Sequence, residues 1–353
     1  MEMGNTIRQM RYRANLTQEQ LAEKLGVSAQ AVSKWENGAA MPDIALLPTL
    51  AETFGVSIDE LFDLTTEQKL RRIENRMEQE AELPGDLYWE YEEFLKAHLE
   101  EGDRARTMGL LAQLYHHRME ADARRVSRCA REAMRLAPER KECQWLLQKA
   151  EGSVAWDWNV ANHGRVIDFY KELIENDHIT PHTPLPYYYL IDNLLADHRT
   201  KEAARYLEAF AKLPAHRPFM VAVYRAHIAL AEFDEARADA IMEKALADFG
   251  QESGILFEAA QYYARKCEYD RAVEFYEASF AAEKERPRFT DALQAIAMIH
   301  EIQGDYQKAA QTFDRVLDCM RNEWGMTDET AVHEAEAEKD RLLKKQASGG
   351  RSE

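Results

Sequence analysis

Apolar residues recur along this chain at spacings of three and four, the period of helices that bury one face. The sharpest stretch runs from Thr17 to Gly38, TQEQLAEKLGVSAQAVSKWENG. Leu21 and Leu25 are four apart and share a face. Thr17 is a good N-cap, and Gln20 completes a capping box with it. Gly26 ends that helix, because only glycine enters the left-handed region without a Cβ penalty. Val27 then plugs the inside of a tight turn. Ser28 caps a second helix with Ala31, Val32 and Trp35 inward and Ala29, Gln30, Ser33, Lys34 and Asn37 outward. Amides and hydroxyls for base edges and a cation for phosphate are what a duplex face needs. An ordinary helical hairpin with a solvated polar face has the same period and caps.

The flanks extend this into residues 1–64. Met3 to Ala14 reads as a first helix. Met41-Pro42-Asp43 is a turn, and a fourth helix runs to about Phe54 with Pro48 in its first turn, where a missing N–H is tolerated. Ser57 and Glu60 make a second capping box for a fifth helix ending near Leu64. The expected core is Ile7, Met10, Leu16, Leu21, Leu25, Val32, Trp35, Leu47, Leu50, Phe54, Val56, Leu61 and Phe62. Residues 65–85 are charged, with sparse apolar positions at Leu70, Ile73 and Met77. They read as a helical linker, either a solvated helix or a weak coiled-coil seam, broken at Leu83-Pro84-Gly85. Residues 86–326 read as helices with an internal repeat. A last helix over 327–345 would cap them, and 346–353, QASGGRSE, reads as a disordered tail.

The repeat is clearest in Ser253 to Pro287 and Thr290 to Trp324. With Glu268-Tyr269-Asp270-Arg271-Ala272 set against Asp305-Tyr306-Gln307-Lys308-Ala309, Leu256 meets Leu293, Ala260 meets Ala297, Tyr263 meets His300 and Tyr276 meets Phe313. Carried backward, the small or β-branched position falls at Ala236, Ala203, Val166 and Val126. Met134-Arg135-Leu136-Ala137-Pro138 reads as a repeat ending. Small residues where helices cross, with aromatics wedged beside them, resemble the tetratricopeptide pattern. That resemblance implies an α-solenoid with a concave face for peptides or partner helices.

Length suggests two or three domains, and 46% hydrophobic residues are enough for real cores. No run of 18 apolar residues marks a transmembrane span, and the start, MEMGNTIRQMRYR, lacks the apolar core of a signal peptide. Cys129, Cys143, Cys267 and Cys319 are scattered, without CxxC or ligand spacing, as in reduced thiols of a cytoplasmic protein. A net charge of −18 argues against a protein that coats nucleic acid. Residues 1–64 carry five basic against nine acidic side chains, which predicts weak non-specific binding and a modest salt slope. Local placement governs phosphate contact, and Arg8, Arg13 and Lys34 can face a duplex while IDELFD faces away.

The chain has no phosphate loop, no GxGxxG after a strand and no recognisable acid–base pair. His116 and His117 are adjacent and diverge on a helix. His178 and His182 have helical ligand spacing, but Pro181 and Pro184 break it. No cofactor, no metal and no enzymatic activity are expected. Trp156-Asp157-Trp158-Asn159 and Tyr187-Tyr188-Tyr189 are unusual aromatic groups. Solenoid packing is their ordinary role, and lining a groove is the alternative.

Residues Ile7 to Phe62, including LTQEQLAEKLGVS and WENG, closely resemble the Xre-type (phage repressor-like) helix-turn-helix domain. The resemblance implies an all-α chain with a five-helix lambda-repressor-like DNA-binding domain. By position it places Gln18, Ser28, Ala29, Gln30, Ser33 and Lys34 at the operator. Gln30 would read an adenine edge, Gln18 would bind phosphate and buttress Gln30, Lys34 would reach a guanine edge or the backbone, and Asn37 would bind phosphate. Ala29 departs from the glutamine of some relatives. Arg11 and Glu36 would form an ion pair tying the first helix to the third. A reader fused to repeats resembles bacterial one-component regulators: a transcriptional regulator binding its operator as a homodimer through the repeat domain. Its ligand in the solenoid groove would be a peptide, a small ligand or a partner protein. Peptide-pheromone receptors among them hold the peptide backbone with asparagines, and this chain offers few, Asn162 and Asn193 chief among them. The rival is a protein-interaction scaffold with a degenerate reader.

Overall fold

The computed structural model describes residues 2–56, 58–61, 66–100, 102–152, 162–175 and 183–349. These residues are helical throughout and form no strand. Two compact units divide the chain, residues 1–125 and 126–353, with the boundary inside one long helix. The Ser57 cap, Phe62, the Trp156–Asn159 group, His178 and His182 lie outside the described residues.

The first unit opens with α1 (Glu2–Arg13), α2 (Gln18–Leu25), α3 (Ala29–Glu36), a 3-10 turn (Ile44–Leu46), α4 (Leu47–Phe54) and α5 (Ile58–Leu61). Ile7, Leu21, Val32, Leu50 and Leu61 are wholly buried at its centre, with Leu25, Trp35 and Leu47 around them. Asp43 caps the 3-10 turn by accepting from the Ala45 N–H, and Pro48 sits in the first turn of α4. Gly4 lets α1 lie against α3, since a Cβ there would stand 2.2 Å from the Trp35 carbonyl oxygen.

The stretch expected to be a helical linker is a helix, but a packed one rather than a solvated one. On α6 (Thr66–Gln79), Leu70 and Ile73 are buried in a second core with Leu83, with Tyr88, Tyr91 and Leu95 of α7 (Gly85–Ala97), and with Leu110, Leu111 and Leu114 of α8 (Arg104–Leu136). Arg106 of α8 bonds Glu67 and Glu74 of α6. Three apolar residues on a charged helix make a narrow stripe, but large partners are enough to bury it.

The second unit continues through α9 (Lys141–Ala150), which buries no residue, and α10 (Gly164–Glu175). Helix pairs follow: α11 (Leu185–Ala196) with α12 (Thr200–Phe210), α13 (Pro218–Ala231) with α14 (Glu235–Phe249), α15 (Ser253–Arg265) with α16 (Tyr269–Ala282), and α17 (Asp291–Ile302) with α18 (Tyr306–Asn322). Ala203, Ala272 and Ala309 have no exposed surface where the second helices begin. Two earlier positions need correction. Val166 is 45% exposed, and Ile167 is the buried residue. Ala236 is exposed and Ala238 is buried, because Asp234 caps α14 and its fourth residue turns inward. Val126 marks no repeat start, since α8 runs through it unbroken.

The last helix, α19 (Thr330–Gly349), starts three residues later than expected and takes in the first four residues of the expected tail. It buries Val332, Ala335 and Leu342. Arg341 and Lys345 bond Glu301, the former at 2.7 Å and the latter at 2.6 Å. No helix among the described residues is long and apolar enough to cross a membrane.

Candidate nucleic-acid interface

The turn between α2 and α3 is built by its caps. Thr17 Oγ1 accepts from the Gln20 N–H at 3.2 Å, and Gln20 Oε1 accepts from the Thr17 N–H at 2.8 Å. Gly26, at φ 66°, closes α2 by sending its N–H to the Ala22 and Glu23 carbonyls. Ser28 Oγ accepts from the Ala31 N–H and starts α3. The chain reverses within three residues and leaves one long edge of α3 outside.

Beneath that edge lies a charged clasp. Arg11 Nε donates to Glu36 Oε1 at 2.6 Å, and its Nη2 donates to Oε2 at 2.9 Å. The two side chains are 7% and 1% exposed. The remaining Arg11 Nη1 donates to the Leu16 carbonyl at 2.8 Å. Burial pushes the Glu36 carboxyl up, but hydrogen bonds from Arg11 and then Gln18 pull it further the other way, so it is held below its ordinary range. A bidentate pair that also satisfies the backbone ties α1 to the end of α3.

Gln18 is engaged by Glu36 and makes no hydrogen bond to Gln30 among the described residues. Its Nε2 donates to Glu36 Oε2 at 2.8 Å, because a carboxylate this buried recruits every donor within reach. Asn37 is likewise engaged: Arg8 Nη2 donates to its Oδ1 at 2.6 Å and to the Glu36 carbonyl at 2.9 Å. Arg8 was expected only as a free cation, and its pairing with Asn37 over sequence distance has no signal in spacing. Ala29 is half-buried against the core rather than fully outward, since the first residue of α3 packs under the turn. Ser28, Gln30 and Lys34 are exposed, and Ser33 is half-buried. Gln30 and Lys34 have no hydrogen-bond or ionic partner among the described residues.

Among the described residues, the histidines do not gather into a metal-ligating group. His117 bonds the Glu80 carbonyl while His116 faces Glu120, and no group of three metal-ligating side chains occurs among the described residues.

The Helix-turn-helix family model matches residues 7–61. An uncharacterized HTH-type transcriptional regulator of Methanocaldococcus jannaschii is 43% identical over 60 residues, 17% of this chain and 91% of that protein. The HTH-type transcriptional activator BcrR of Enterococcus faecalis is 45% identical over 76 residues, 22% of this chain, but the chain spans only 37% of its length. A structural likeness covers 99% of this chain and 98% of Bacillus thuringiensis PlcR, solved with the peptide PapR7 and DNA, at 12% identity and a TM-score of 0.21. The named relatives are regulators of transcription rather than enzymes. On the strength of the reader domain, this chain belongs to the Xre-type helix-turn-helix family of transcriptional regulators.

Proposed function

We propose that this protein binds a specific operator through the outer edge of α3 and regulates transcription from it, with the second unit serving as sensor and dimerisation domain. The observation that carries this is the uncommitted pair of Gln30 and Lys34 on a helix whose opposite side is clamped by a buried ion pair. A surface helix held rigidly, with its longest polar side chains left free, matches what base reading demands. Gln30 reads an adenine edge by two hydrogen bonds. Lys34 meets a guanine edge or phosphate. Ser28 and Ser33 serve the backbone, and the Arg8–Asn37 pair presents a cation and an amide at the end of α3. Gln18 keeps one amide N–H for phosphate. Ala29 offers only a methyl, suited to a thymine.

The protein acts as a homodimer, with half-sites one duplex turn apart (~34 Å) or a multiple of it. A ligand in the repeat unit, whether peptide, small molecule or partner protein, shifts dimer geometry and so operator affinity. Operator access puts the protein in the cytoplasm. A gel-shift titration against sequences selected from a random duplex pool tests the reading. Q30A and K34A should each lose affinity for the selected site, and unchanged binding in both would remove α3 as the reader. The scaffold alternative gains its support from the acidic balance of residues 1–64. A stable protein partner together with no selected duplex would favour it.

A further inference from the structure

The repeat unit holds a cavity of about 850 Å³ along α11, α13 and α15. Its wall carries four carboxylates, Asp192, Glu258, Glu283 and Asp291, against two guanidiniums, Arg217 and Arg265. Neither asparagine of this region serves it: Asn162 caps the Gly164 N–H, and Asn193 donates to the Tyr189 carbonyl.

Two of the carboxylates lack a charged partner. Asp192 and Glu258 make no ion pair within 4 Å among the described residues. Arg265 and Arg217 influence Glu258 only from a distance. The Tyr224 hydroxyl, which also reaches the Tyr188 carbonyl at 3.5 Å, hydrogen-bonds Asp192. Burial, then Asp192, pushes Glu258 up to about 7, and burial raises Asp192 although it keeps access to solvent. Glu258 is disfavoured as an anion beside Asp192, and Glu283 is already occupied by Ser253 at 2.9 Å.

A third polar group points the same way. His227 lines this cavity, is 6% exposed, and its Nδ1 has no hydrogen-bond partner. Burial and Arg265 push it down to about 3, so the ring is neutral. Buried polar atoms are normally paired, and one left open in a polar cavity marks a place for a ligand atom. Beside these groups Tyr188 stacks on Tyr224 at 6.2 Å, Tyr189 is 56% exposed, and Phe257 completes an aromatic side. Ring faces and open carboxylates together favour a cation.

We propose that this cavity binds a protonated amine carried on an apolar body, with Asp192 and Glu258 as its anionic partners and Tyr188, Tyr189 and Phe257 as its aromatic side. The proposal rests on the reading of the repeat unit as a ligand sensor and names the chemistry that sensor takes. The amine belongs either to a free polyamine or to a lysine side chain of a short peptide.

Isothermal titration of the full chain separates these sources and tests the claim. The probes are spermidine, an end-blocked pentapeptide with a central lysine between leucines, its Nε-acetyl-lysine form, and the matching glutamate peptide. Spermidine or the lysine peptide should bind, and the tighter of the two identifies the source. The acetylated and glutamate peptides should bind at least tenfold more weakly. E258Q and D192N should each weaken the cation at least tenfold. E274Q, an exposed acid away from the cavity, should change nothing, which removes general attraction to an acidic protein. If the acetylated or glutamate peptide binds as tightly as the lysine peptide, the cation is overturned while the cavity stands as a ligand site. If no probe binds at millimolar concentration, the cation is overturned. If cation binding survives Q261W, which fills the cavity, the sensor location falls with it.

Discussion

Glu36 and Glu258 are carboxylates under opposite strain, and pH separates them. Arg11 and Gln18 hold Glu36 low against the push of burial. A depressed acid stabilises the fold above its unfolded value near 4.5 and loses that contribution as pH falls through the folded value. E36Q leaves Arg11 buried without its counter-charge and should cost ~3–5 kcal/mol at pH 7. Its melting should also vary less than wild type between pH 7 and pH 3. Glu258, raised to about 7 by burial and Asp192 and opposed by Arg265 and Arg217, works the other way. Its ionisation costs stability as pH rises from about 4.5 to about 7. E258Q should therefore gain roughly 1–3 kcal/mol at pH 8 and nothing at pH 4. Denaturant titrations at the two pH values check both signs. On the duplex side, Q30A should cost roughly 1–3 kcal/mol of operator binding and relax specificity at one base pair. K34A should lower the salt slope by about one if it meets phosphate.

At the scale of elements, apolar spacing found α2, α3 and α4 because each has a one-sided stripe, with side-chain caps at the starts of α2 and α3. The Thr17–Gln20 box and the left-handed Gly26 are local chemistry, legible from a few residues. Spacing read α6 as a helix but not as a buried one, for the opposite reason. Leu70 and Ile73 look stranded among charges until α7 and α8 cover them. I73A should cost ~2–5 kcal/mol, as a core truncation does, where a solvated linker would lose almost nothing. The register of α14 also turns on packing. A238M should lose ~1–3 kcal/mol by overfilling a helix crossing, while A236M should be neutral. Thermal melts of the pair would restore the uncorrected register if the ranking reversed. G4A should be destabilising in the same range, because its Cβ has no room beside the Trp35 carbonyl.

For the whole molecule, the testable consequence is symmetry. A dimer reading two half-sites must keep both on one side of the duplex. Inserting about five base pairs between selected half-sites should abolish tight binding, and inserting about ten should restore much of it. Binding indifferent to the insertion would mean one reader per site. The cavity lies in the other unit, built by Tyr188, Asp192, His227 and Glu258 from three helices. Tyr187-Tyr188-Tyr189 divides between the two roles open to it. Tyr187 is core, whereas Tyr188 and Tyr189 line the cavity.

The helical class, the reader with its turn, and the two clear repeats follow from caps, periods and small residues, all of which act over a few neighbours along the chain. The outward edge of α3 was also legible, since a short amphipathic helix has only one outward face. What Gln18, Asn37 and Ala29 do there was not, because their partners Glu36 and Arg8 and the core beneath them are set by how α1 crosses α3. The cavity was invisible for the same cause. Its acids and its unpaired imidazole stand on separate helices and become neighbours only when the pairs stack, which no spacing records.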